Sequence, residues 1–303
     1  MSTYGPRFIT PPTDDQELYP YRPVWRTLAI EASILAAITA IFYVIIDIFK
    51  LSPPIRLQSY LGLGLIIAPC ALWLVFSWWA EYRVTAPRQH LIAVVILTML
   101  AANSVGLPLI DQYFRVESWL PLAPALNRIL GYTLTAGIVH GVIKYLVLHY
   151  TIWPQHIRER VDGVAYGIAT GIGYATILNI QFIITNPLAP PDIVAFHMFA
   201  NYALHVSTGI VIGYGISEVR FSNPTPVYLA IALLITAVIT GITIPIHAGL
   251  VNSSLSITSI SAPKPLFGLG FSAVLLFVIS IIIAGLIRNA DRLEREARTE
   301  NEE

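Results

Sequence analysis

Cysteine is nearly absent from this 303-residue chain: Cys70 stands alone, inside the apolar run from Leu61 to Val75. One thiol excludes an intrachain disulfide and a cysteine-ligated zinc or iron–sulfur centre. Charge is scarce as well, at 12% of residues, about half the roughly 25% of an ordinary soluble domain. Eighteen Lys and Arg balance eighteen Asp and Glu, which leaves no basic excess for a phosphate backbone, so nucleic acid is not an expected partner. The first 25 residues lack an apolar core; with Asp14, Asp15, Glu17 and several prolines they read as a polar arm and not as a cleavable signal peptide.

What is abundant is apolar surface, 55% of the residues. A spanning helix needs about 20 mostly apolar residues, and eight stretches supply them: Thr27 to Phe49, Tyr60 to Trp79, Leu91 to Ile110, Arg128 to Tyr150, Gly163 to Ile184, Val194 to Ser217, Val227 to Leu250 and Leu266 to Ile287. The expected fold is therefore all-α, a polytopic bundle of about eight transmembrane helices with the lipid bilayer as its surroundings. Residues 1–25 form the arm, 26–288 a single transmembrane domain and 289–303 a charged tail read as a solvated helix. Twelve of the Lys and Arg residues fall on the side of the N-terminus, among them Arg88, Arg158, Arg160 and Arg220, against five on the other. By the positive-inside rule both termini face the cytoplasm. Gly163, Gly167 and Gly171 recur every four residues, and Gly209 and Gly213 do so on the next span; small residues at that spacing let two backbones approach closely in lipid.

Ionisable groups inside spans are costly enough to mark candidate sites. Glu31 and Asp47 lie near span ends, where they can snorkel or pair. Lys144 lies about two turns from the end of the fourth span, and Asp162 is a plausible partner. His140 and His205 fall near mid-span and His247 toward the outer end of the seventh, with Asn252 five residues on and Asn179 at comparable depth. Three imidazoles at one depth could serve as the three protein ligands of zinc, though each could equally bond to a hydroxyl or carbonyl of a neighbouring helix. His197, Asn201 and His205 form a four-residue stripe that could line the same cavity. Between Ala125 and Val251 the acids are Glu159, Asp162, Asp192 and Glu218, all at span ends or in loops. No carboxylate is placed to accept a proton from a metal-bound water.

Several short motifs occur in a telling order. Ile138-Val139-His140-Gly141-Val142-Ile143-Lys144-Tyr145 is followed by Asp162-Gly163, Tyr166-Gly167, Gly171-Ile172-Gly173-Tyr174-Ala175, and Thr176-Ile177-Leu178-Asn179. Leu204-His205-Val206-Ser207-Thr208-Gly209 and Ile246-His247-Ala248-Gly249-Leu250-Val251-Asn252 come after these. From Gly137 to Asn252 this order resembles the PrsW family of intramembrane metalloproteases, distant relatives of the CAAX prenyl proteases. The resemblance implies a membrane-buried divalent metal, zinc in the first instance, and peptide hydrolysis near the membrane surface. It also implies a metal-ligand role for His140, His205 and His247, with Lys144, Asp162, Asn179, Asn252 and His197 in support. The departures fall on the chemistry: His140 and Gly141 stand where the family has a glutamate pair, and Leu178 stands where it has a glutamate before asparagine.

The expected function is thus a PrsW-like membrane protein that has lost catalysis and binds a membrane protein or transmembrane segment. An active metalloprotease with a histidine-bound metal is the first alternative. A non-enzymatic accessory subunit or small transporter is the second, although no internal repeat supports transport. The setting expected is a prokaryotic plasma membrane. A reporter active only in the periplasm, fused after Arg298, is predicted to stay silent; a strong signal would overturn the assigned orientation.

Overall fold

The computed structural model describes residues 21–82, 87–221, 227–252 and 264–302. Among these the chain is helical throughout, with eight long rods: α1 (Tyr21–Tyr43, extended by a π turn over Val44–Ile48), α2 (Ile55–Glu81), α3 (Leu91–Trp119), α4 (Ala125–Thr151), α5 (Arg160–Thr185), α6 (Pro191–Phe221), α7 (Val227–Asn252) and α8 (Pro265–Glu302). Seven of these segments are long and apolar enough to cross a membrane, and the chain is an integral membrane protein in contact with the bilayer. The exception is α6, which has 31 residues but carries His197, Asn201, His205, Ser207 and Thr208 along its length. Its apolar content is diluted because it faces other helices instead of lipid: from Tyr202 to Gly213 every residue is buried.

The α5–α6 pair forms the centre of the bundle, and glycine is the reason. A Cβ added at Gly163 would lie 2.3 Å from the Gly213 carbonyl, at Gly167 2.2 Å from that of Gly209, and at Gly171 2.5 Å from that of His205. The two backbones therefore touch at three points along about two helical turns, which no other residue would permit. Gly173 extends the same principle to α3, where its added Cβ would meet the Val95 carbonyl at 2.6 Å. On α4, Gly137 packs against the backbone of Ala237 on α7, and Gly241 of α7 packs against Thr133. These contacts flank a π turn over Thr133–Gly137, a widened turn of the kind often found near functional sites. It lies just before His140.

Ionic clusters clamp the end at which α1 begins. Arg88 pairs with Glu81 and with Asp162, each at 2.7 Å. Burial alone would lower the Arg88 guanidinium, but the charges of Asp162 and Glu81 outweigh it and the group is raised above its usual value. Asp162 also accepts from the backbone N–H of Arg158 and Glu159 at 2.9 and 3.0 Å, completing a capping box on α5. It belongs to Arg88, and the pairing with Lys144 suggested by sequence position is not made. Arg160 binds Glu218 at 2.8 Å, Asp291 at 3.1 Å, and Glu294. The charged tail is therefore anchored at its first two turns, where free solvation was expected. Glu31, too, departs from its expected place: it is 2% exposed and faces the Tyr202 hydroxyl, because α1 turns that face onto α6 and not to the surface.

The seam makes a clear prediction. Gly167→Ala forces a backbone displacement and should cost about 1–3 kcal/mol, the usual range for overpacking. Gly285→Ala has nothing within 4 Å of the new methyl and should be neutral or stabilising by up to about 1 kcal/mol, the helix-propensity difference. Thermal unfolding of the two variants in detergent checks the contrast; equal melting temperatures would refute it.

Candidate functional site

Where α4, α5 and α6 meet, the seam brings polar side chains together away from lipid. His140 (α4), Tyr174 (α5) and His205 (α6) form a triangle of rings with centroids 4.7–4.8 Å apart. Tyr174 lies nearly parallel to His205, at an interplanar angle of 18°. All three are buried, and so is Lys144, one turn beyond His140 on α4. The Lys144 amine lies 3.1 Å from His205 Nδ1, and donates to the His205 carbonyl at 3.0 Å and to Thr208 Oγ1. Its Nζ stands 5.5 Å from the Tyr174 ring centroid, within cation–π range.

The remaining sequence candidates gather one step away. Asn201 donates through Nδ2 to Asn179 Oδ1 at 2.8 Å and lies 3.0 Å from His197 Nε2, while His197 stacks on Phe182 with centroids 3.9 Å apart. His247 is close enough to His197 for the two rings to interact electrostatically, and its Nε2 packs on α8 at Gly268. Among the described residues, then, His140 and His205 share one cluster, and His197, Asn179 and Asn201 form another, with His247 beside them. Asn252 closes α7, and its side chain lies outside the described residues. The sequence reading overlooked Tyr174 and Thr208 as site residues, although both sit at mid-span depth in motifs it had singled out.

The donor set can be tested against a zinc ion. His140 offers two ring nitrogens, both buried and without a hydrogen-bond partner. His205 is differently placed. Its Nδ1 is engaged by the Lys144 Nζ at 3.1 Å, so that ring nitrogen is already occupied by a protein group. Among the described residues no three His, Cys, Asp or Glu side chains converge as metal ligands do. The cluster holds no carboxylate, and the Lys144 side chain fills the space beside His205. These residues do not fit a three-ligand metal centre.

An added Cβ at Gly141 would point to Thr236 on α7, 3.1 Å from its hydroxyl, away from the histidines. Leu178 packs in the apolar group that includes Val139, Ile143 and Tyr174, so a side chain there borders the cluster directly. Lys144→Ala should remove three polar contacts and leave a cavity, costing roughly 2–4 kcal/mol; an unchanged melting temperature would show that the lysine does not organise the cluster.

Comparison with known proteins gives this arrangement its context. A family profile described as PrsW family intramembrane metalloprotease matches residues 86–284. Protease PrsW of Bacillus subtilis (strain 168) is 29% identical over 94 residues, covering 29% of this chain and 40% of that protein. Protease PrsW of Clostridioides difficile (strain 630) is 31% identical over 116 residues, covering 35% of this chain and 47% of that one. The chain thus spans under half the length of the curated relatives it matches. No solved structure matches. With most of the bundle inside the matched region, the chain belongs to the PrsW family of intramembrane metalloproteases.

Proposed function

We propose that this chain is a PrsW family member that no longer hydrolyses peptides and uses the bundle to bind a membrane protein or a single transmembrane segment. The observation that carries the reading is the place of the Lys144 amine. It lies against His205 Nδ1 and the His205 carbonyl at 3.1 and 3.0 Å, so a lysine nitrogen already occupies the ground beside one of the two convergent imidazoles. A metal bound at that nitrogen would have to displace it. Hydrolysis would also require a group to take the proton of water, a contribution of about 10² to 10⁴ in rate. The positions at which the family resemblance expects carboxylates hold His140, Gly141 and Leu178. In this reading both termini face the cytoplasm of a bacterial cell, and the arm and tail flank a single transmembrane domain.

One observation favours a second reading. Both nitrogens of His140 are buried without a partner, which costs free energy unless something supplies one. A divalent metal held by His140 together with groups of a bound partner would satisfy it and would keep a metalloprotease possible.

Two measurements separate the readings. The purified full chain, supplied with zinc and a panel of single-span membrane substrates, is expected to yield no cleavage, and its metal content is expected to be unchanged by His140→Ala or His205→Ala. Cleavage lost on His205→Ala would overturn the proposal in favour of the second reading. Leu178→Glu returns a carboxylate to the edge of the cluster, and activity gained on that substitution would support loss of catalysis on a retained scaffold.

A further inference from the structure

A second polar site lies on the other side of α5, partly outside the region that matches the family. A cavity of about 30 Å³ runs between α1, α2, the Arg88 segment and α5, lined by Thr27, Glu31, Ser77, Glu81, Arg88 and Ile168 among others. A single water needs roughly 10–15 Å³, so the space admits one or two waters or one small ion. Two buried atoms in its wall lack hydrogen-bond partners: Glu31 Oε1 and Arg88 Nη2. The Glu31 residue is 2% exposed and the Arg88 side chain 8% exposed. A buried carboxylate oxygen without a partner is too costly to persist unless it is protonated or holds a cation.

The surrounding charges favour the same conclusion. Glu31 and Glu81 line the cavity, and Asp162 holds the far side of Arg88 at 2.7 Å. Arg88 is committed to Glu81 and Asp162, so it forms no ion pair with Glu31. The other titratable groups that face Glu31 are Cys70 of α2 and the Tyr202 hydroxyl of α6, and neither supplies a positive charge. The oxygen-bearing side chains of its wall, Glu31, Ser77 and Thr27 among them, suit a hard cation and not a transition metal.

We propose that the Glu31 cavity binds a small monovalent cation, either a proton or sodium, admitted from the end of the bundle where Glu81 and Arg88 stand. Glu31 Oε1 holds the cation. Arg88 Nη2 orients a water beside it, and Ser77 lines the way in. This site is independent of the histidine cluster and of whether that cluster hydrolyses peptides.

Dicyclohexylcarbodiimide tests the proposal, because it adds to a carboxylic acid in an apolar site only when the acid is protonated: the proton goes to a carbodiimide nitrogen and the carboxylate oxygen bonds to the central carbon. The full chain in detergent is treated with it from about pH 5 to about pH 9, and adducts are mapped by mass spectrometry. Labelling at Glu31 is expected, falling about tenfold per pH unit once the group ionises. Ser77→Leu, or Ala80→Leu should the first not fold, should slow labelling by filling the cavity. If sodium chloride slows the reaction where choline chloride does not, the ion is sodium; if it has no effect while the pH dependence stands, the ion is the proton. The proposal is overturned if Glu31 stays unlabelled at every pH, if its labelling is independent of pH and sodium, or if a folded cavity-filling variant labels at the original rate.

Discussion

Everything central in this bundle depends on the close backbone approach of α5 and α6. Gly163, Gly167 and Gly171 on one helix meet Gly209, Gly213 and the His205 carbonyl on the other at distances that exclude a β-carbon. In a bilayer, apolar side chains gain little by leaving lipid for another helix, so such contact must come from packing and from polar groups that find partners. The approach of the two backbones sets the stacking of Tyr174 on His205. It also leaves α6 so enclosed that it tolerates a polar composition no lipid-facing helix of the bundle shares.

Around that seam the protein keeps its charges in separate places with different solutions. At the end where α1 begins, Arg88 and Arg160 gather carboxylates from α2, α5, α6 and α8, and their pairing holds the helix ends in register. Deeper in the bundle Lys144 is held by neutral groups alone: an imidazole nitrogen, a carbonyl and a hydroxyl. Held in this way, its nitrogen bridges α4 and α6 and occupies the space beside His205. The Glu31 cavity is the converse, a buried carboxyl group without a balancing charge. The two sites lie on different faces of the α5–α6 pair, so the chemistry of one need not constrain the other.

Membership of a protease family and the geometry of the histidine cluster pull in different directions, and the difference can be traced to particular residues. The order of motifs from Gly137 to Asn252 places the chain in the family, and those motifs are dominated by glycines and by residues that pack helices. In the proposed reading the chemistry is lost at carboxylate positions, which contribute little to packing inside a membrane, while the glycine seams hold the scaffold. Leu178 packs beside Tyr174 and Ile143 in an apolar group.

The amino-acid sequence by itself determined the all-helical membrane architecture, the glycine seam and the depth of each polar residue, because hydropathy and four-residue spacing report length, face and height along a helix. It did not determine which polar residues meet. His140, His205 and His247 share a depth, yet only the first two converge; His247 turns toward α8 and His197, since its azimuth depends on how α7 packs. Asp162 was legible as a span-end acid, but its pairing with Arg88 is decided by a contact 74 residues distant in sequence. Glu31 looked like a residue near a surface, and the lean of α1 onto α6 buried it. Depth is a property of one helix and can be counted along it, whereas rotation about the axis is fixed by the neighbours, and only the tertiary structure contains them.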